Sequence, residues 1–194
     1  MITKPTVLVL GAGASMDYGY PSGAGLLENI LKQNNSSEWK WLFRQKEISN
    51  NDIEQYRNAL YLSQQPSVDA FLEHRPEFID IGKLTMALYL MSCEEEVVLY
   101  DFGIRTKGWY HYLLNSINTG FDEFVENKLS IITFNYDRSL EYFLFTALKN
   151  TYNKSDDVIA EVVKKIPIIH VHGYLGPLPL GGKWGKTISK VRYS

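Results

Sequence analysis

Three short stretches carry the residue types and spacings that chemistry needs. Gly11, Ala12, Gly13, Ala14 and Ser15 come directly after an apolar run at Thr6–Leu10. Glycines in such a place let backbone N–H groups approach a phosphate without a Cβ clash, and a helix starting there adds its positive end. The same glycines would equally serve a packing turn between strand and helix. Met16 stands where the ordinary dinucleotide fingerprint wants a small residue, and the next glycine is Gly19, so the turn is longer than in hydride-transferring dehydrogenases.

The second stretch is Thr133, Phe134, Asn135, Tyr136 and Asp137. A strand ending in an amide and a carboxylate places both at the mouth of a cleft, where Asn135 would orient a hydroxyl or a water. Asp137 would serve the cleft or cap the next helix. The third stretch is His170, Val171, His172 and Gly173. On a strand, residues two apart face one side, so the two histidines are a candidate metal pair, although no third ligand lies at local spacing. Alternatively, His172 is a general base, with Gly173 leaving room beside it.

The elements that must position these residues emerge from the apolar pattern. Thr6–Leu10 reads as a buried strand, and the next element is a helix from Ser22 to about Lys32. From 38 to 128 the pattern is mainly helical. Segments are expected at Glu38–Lys46, Asp52–Ser63, Val68–His74 with Ser67 as its cap, Pro76–Glu94, Lys107–Ile117 and Phe121–Asn127. Strand character returns at Leu129–Thr133, then helices from Arg138 to about Asn150 and from Asp156 to Lys165, then a strand at Pro167–Val171. Glu94, Glu95 and Glu96 read as a solvated helix end. Tyr174–Ser194 reads as an irregular tail with a weak strand candidate at Lys186–Tyr193. Strands alternating with helices imply an α/β, Rossmann-like, mostly parallel sheet with a large helical layer or insertion, in one domain over 1–194. In such sheets ligands bind beyond the strand carboxyl ends, where all three stretches fall.

Composition limits the function classes. The 194 residues carry 20 Lys and Arg against 22 Asp and Glu, a net charge of −2, which argues against a nucleic-acid binder. Hydrophobic content of 45% argues against disorder. The one cysteine, Cys93, excludes an intrachain disulfide framework and a multi-cysteine zinc module. No apolar run approaches the roughly 18 residues of a membrane helix, and Met1–Leu10 lacks the character of a signal peptide. A cytoplasmic setting with no membrane partner is the expectation. The 13 tyrosines, with Trp39, Trp41, Trp109 and their neighbours, read as packing before any stacking platform.

Taken in order, the three stretches resemble the sirtuin superfamily. Gly11–Ser15 with Gly19 and Pro21 is similar to the family's glycine-alanine-glycine-x-serine loop and its glycine-x-proline continuation. Thr133–Asp137 is similar to the threonine-glutamine-asparagine-x-aspartate motif, with Phe134 in place of glutamine. His172-Gly173 is similar to the catalytic histidine-glycine pair. The deacylases carry a four-cysteine zinc module that one cysteine cannot build, so the likeness is to the zinc-free bacterial sirtuin-like proteins. Members of that group cleave NAD to nicotinamide and ADP-ribose, often as effectors of phage defence.

The resemblance implies NAD as substrate and no metal. Gly11, Ala12, Gly13, Ala14 and Ser15 would hold the pyrophosphate, with Pro21, Thr133 and Gly173 completing the cofactor-binding set. Asn135 would fix the nicotinamide ribose or the attacking water, Asp137 would support the site, and His172 would act on the ribose hydroxyls. Hydrolysis, cyclisation and ADP-ribosyl transfer all begin with the same bond cleavage. Family members continue past the histidine-glycine pair with further strands, one bearing a glycine-serine turn that Tyr174–Ser194 does not show. That predicts a sheet incomplete at its C-terminal side. It keeps a second reading open: a non-catalytic or truncated module that binds NAD or ADP-ribose, self-associates through an unpaired edge, or meets a partner defence protein.

Overall fold

The computed structural model describes residues 1–32, 37–105 and 108–178, and the strand expected at Lys186–Tyr193 lies outside them. The chain forms two compact units: Met1–Tyr20 together with the chain from Cys93 onward, and Pro21–Ser92. The first begins with β1 (Thr6–Leu10) and a single turn, α1 (Gly13–Met16). The second holds α2 (Gly23–Lys32), α3 (Ser37–Gln45), α4 (Asn50–Leu62), α5 (Val68–Leu72), a 3-10 turn at Pro76–Phe78 and α6 (Ile79–Ser92). The first then resumes with α7 (Glu96–Leu99), α8 (Phe102–Arg105), α9 (Trp109–Ile117), β2 (Leu129–Thr133), α10 (Ser139–Tyr152), α11 (Asp156–Val163) and β3 (Ile168–His170).

The helical unit is organised around α6, which packs on α2, α4 and α5. Val68, Phe71 and Leu72 of α5 are buried, and Gly82 of α6 admits Leu72, whose methyls would stand 2.7 Å from any Cβ there. The helix starts are written in the sequence. Ser49 and Asp52 form a reciprocal capping box on α4, and the Ser67 hydroxyl accepts from the Ala70 amide on α5.

The other unit carries a three-strand, wholly parallel sheet in the order β1-β2-β3, an α/β architecture compatible with a Rossmann-like fold. Leu10, Thr133 and His170 are cross-strand neighbours at its carboxyl end. The face bearing them carries the buried Leu129 and Ile131 and meets Leu140 and Glu141 of α10. β1 is not the fully buried strand its composition suggests: Val7 is 58% and Val9 65% exposed. Val7 and Val9 lie on the sheet face opposite that of Leu8 and Leu10, and along β1 that face is exposed.

Other boundaries differ too. The boundaries between the two units fall after Tyr20 and after Ser92, the second within the stretch of helices expected over 38–128. Phe121–Asn127 makes only a 3-10 turn at Phe124–Glu126. Asn127 ends it, donating Nδ2 to the Ile117 and Phe124 carbonyls while its Oδ1 accepts from the Ile2 amide. The short helices α7 and α8 were not legible, being too brief to show a period.

Glu94 is the clearest departure. Instead of a solvated helix end it is 4% exposed and grips Arg138 in a two-point pair, Nε to Oε1 at 2.8 Å and Nη2 to Oε2 at 3.0 Å. Arg138 also donates Nη1 to the Gly176 carbonyl at 3.1 Å, tying the segment after β3 to the start of α10. Removing one partner of a buried pair strands the other charge, which costs about 3–5 kcal/mol. Glu94→Ala is therefore expected to lower the unfolding free energy by about that much in urea denaturation, whereas Glu95→Ala, at an exposed position, changes it by less than about 0.5 kcal/mol.

Candidate functional site

The sheet order delivers the ends of β1, β2 and β3 side by side, and hydrogen bonds join the segments into which the three strands run. Ser15, on α1, donates its hydroxyl to Asp137 Oδ2 at 2.8 Å. Asn135 donates Nδ2 to Ser15 Oγ at 3.0 Å and to the Gly11 carbonyl at 2.9 Å. Its own amide N–H donates to Thr133 Oγ1 at 3.1 Å. Residues about 120 apart in sequence thus meet at one point.

With Asp137 ionised, the proton directions in this network follow from its donors and acceptors. An amide nitrogen only donates, so Ser15 Oγ accepts from Asn135 and has one proton left, which goes to Asp137. Asp137 is 7% exposed, and its Oδ1 accepts from the Ser139 amide at 3.1 Å and from the Ser139 hydroxyl. Tyr110, 1% exposed, then gives its hydroxyl proton to Ser139 Oγ at 2.7 Å. Burial pushes the Asp137 carboxyl above its ordinary value, and the Ser139 and Ser15 bonds oppose that rise. Asp137 is thereby a positioning residue. It also bonds the first amide of α10, as a cap would.

α9 packs the outer wall. Trp109 donates Nε1 to the Ala14 carbonyl at 2.7 Å, the Tyr110 amide donates to Tyr18 OH at 2.8 Å, and the Tyr18 and Tyr110 rings stack at 3.7 Å. Within the loop, the Ala14 amide donates to the Gly11 carbonyl at 2.9 Å and that of Ser15 to Ala12 at 3.1 Å. The space over Gly11 and Gly13 is open, with nothing within 4 Å of where a Cβ would stand.

The two histidines part company. β3 ends at His170, and the chain turns through Val171 and His172 to Gly173, whose φ of +88° is a conformation glycine adopts freely. His172 is exposed, with Phe134 and Tyr136 as its ring neighbours at 5.8 and 6.5 Å. His170 is the one engaged with the network: Nδ1 meets the Asn135 carbonyl at 2.9 Å and Nε2 meets Glu141 Oε1 at 2.6 Å. Both its nitrogens are engaged by these two acceptors, and the described residues hold no group of three or more His, Cys, Asp or Glu placed for a metal ion.

Of the residues singled out in the sequence, Gly11, Ser15, Thr133, Asn135 and Asp137 come together directly, and Ala12 and Ala14 shape the same loop. His172 and Gly173 lie at the neighbouring strand end. Pro21 belongs to the helical unit, where with Ser22 it closes on Gly25. Tyr18, Trp109, Tyr110, Ser139 and Glu141 were missed. Ser139 alone had a local signal, standing two residues after an acid at a helix start; the aromatic and Glu141 contacts are made across 29 to 95 residues of chain. The network surrounds a void of only about 10 Å³, too small for more than a water. A ligand at these strand ends would therefore lie over the network, against Gly11–Ser15 and Asn135. No family model, curated protein or solved structure matches the chain.

Asp137→Ala leaves Ser15 Oγ and the Ser139 amide and hydroxyl without their acceptor inside the protein. Denaturation should show a loss of about 2–4 kcal/mol, against about 1 kcal/mol for Ser15→Ala. His170 is raised above 6.5: its burial lowers it, but the Glu141 bond and charge and the Asn135 carbonyl outweigh that. Its contribution is thus complete below the unfolded value and is lost as pH rises through the higher folded one. The stability difference between the parent and His170→Gln should shrink as pH rises above about 6.5.

Proposed function

We propose that the strand-end network is a dinucleotide site and that the chain cleaves NAD at the bond between nicotinamide and ribose. The observation that carries this reading is the hydrogen bonding of Asn135 to both Gly11 and Ser15, which unites the glycine loop with the amide-bearing strand end. Both Nδ2 protons of Asn135 are spent inward, so its Oδ1 is the side-chain atom left to orient a water or a ribose hydroxyl. The Ala12 and Gly13 amides, which take no part in the loop's own bonds through Ala14 and Ser15, are the donors for a pyrophosphate oxygen.

In the cleavage the carbon–nitrogen bond breaks and its electron pair leaves with nicotinamide. A water held by Asn135 adds its oxygen to the ribose carbon and gives its proton back to the ribose hydroxyl that His172 has deprotonated, and His172 releases the proton it took to solvent. His172, exposed beside Phe134 and Tyr136, would accept a hydroxyl proton from the ribose. Asp137 and Ser15 keep the amide aimed. This chemistry is proposed without a metal.

A second reading is a nucleotide-binding module without turnover. The void of about 10 Å³ favours it, since the network fills its own interior and leaves His172 outside. Measuring nicotinamide released from NAD separates the two. The leading reading expects release by the parent chain and a loss of about 100-fold or more in Asn135→Ala and His172→Ala. Equal rates in parent and variants would remove those residues from the mechanism. Binding of NAD without release would establish the second reading.

A further inference from the structure

His170 carries more of the site than its neighbour His172, and its geometry fixes its protonation. One ring nitrogen faces a backbone carbonyl, the Asn135 oxygen at 2.9 Å, which can only accept. The other faces the Glu141 carboxylate at 2.6 Å, an acceptor whenever ionised. A neutral imidazole has one N–H and can satisfy only one of them. The doubly protonated ring satisfies both, and the side chain is 8% exposed against 18% for Glu141, so water does little to replace either bond.

We propose that His170, held as an imidazolium between Glu141 and the Asn135 carbonyl, is a positioning residue that fixes the Asn135 peptide and so aims the Asn135 amide at its ligand. The Asn135 residue is then held at three places: its N–H on Thr133, its carbonyl on His170, and its side chain on Gly11 and Ser15. A deprotonated His170 keeps one N–H, which the Glu141 carboxylate holds more strongly than a neutral carbonyl, so the Asn135 carbonyl loses its donor and only the Thr133 and side-chain bonds remain.

The groups around the ring agree with a cation. Glu141 approaches from α10, Asp137 adds negative charge from the β2 end, and the Tyr174 ring lies 5.4 Å away. Arg138 and Lys164 line the adjoining cavity of about 660 Å³, but the Arg138 guanidinium is turned to Glu94. The inference rests on the reading of Asn135 as the ligand-facing amide, but its first test needs no ligand.

The test is nitrogen-15 NMR of the histidine rings in the whole chain, monitored against pH together with the Asn135 side-chain amide. At pH 6.5 His170 is expected to show protons on both ring nitrogens, and its titration should carry the Asn135 resonances with it. Glu141→Gln, which keeps the shape and removes the charge, should bring that titration about one to two pH units lower. A singly protonated His170 at pH 6.5, or Asn135 resonances indifferent to its titration, would overturn the proposal.

The second arm uses NAD as probe. Where nicotinamide is released, kcat should fall on the alkaline side with the His170 titration, and that limb should move to lower pH in Glu141→Gln. An alkaline limb that stays in place in the variant would count against the proposal. A chain that releases no nicotinamide but shows the doubly protonated, Asn135-coupled ring keeps His170 in its role and removes the cleavage reading alone.

Discussion

A carboxylate taken out of water is costly unless every oxygen is bonded, and Asp137 is 7% exposed with both oxygens engaged. That requirement organises the sheet's carboxyl end. Ser15 must turn its hydroxyl to Asp137, which places α1 and the Gly11–Ala14 loop against the end of β2. Once the Ser15 proton is committed, its oxygen is free to accept, and Asn135 supplies the donor. Ser139 answers the other oxygen and sets the start of α10. Tyr110 donates to Ser139 in turn, and through Tyr18 and Trp109 it draws α9 over the same loop. One buried acid thus couples two strand ends, a loop and three helices.

The sequence was most informative where order is local. Short apolar, β-branched runs marked β1, β2 and β3 to within two residues, and Ser67 marked the start of α5. The strand-end motifs of Gly11–Ser15 and Thr133–Asp137 were legible because polar and glycine residues interrupt apolar runs there. Long-range pairing was not legible. Three glutamates in a row look solvated from their neighbours alone, and only Arg138, 44 residues on, explains why Glu94 is buried. The choice between His170 and His172 was equally hidden, since a two-residue spacing predicts a shared face only while the strand continues. β3 stops at His170, and the alternation stops with it.

The division between the histidines bears on how such a site would work. One is enclosed and engaged on both ring nitrogens, a part of the scaffold; the other is exposed at a glycine-containing turn beside two aromatic rings. A catalytic base must reach its proton, whereas a positioning group must not move, and the two rings are placed according to that difference. The open space over Gly11 and Gly13 and the filled interior beneath Asn135 agree with a ligand that lies across the strand ends and does not enter the sheet.

On the proposed reading these strand ends form one dinucleotide surface. Titrating the nitrogen-15-labelled chain with NAD while monitoring backbone and side-chain amides tests it directly, whether or not NAD is turned over. The amides of Ala12, Gly13 and Ser15 and the Asn135 side chain are expected to move together along a single binding curve. Saturable changes confined to other parts of the chain, or no change at millimolar NAD, would contradict it.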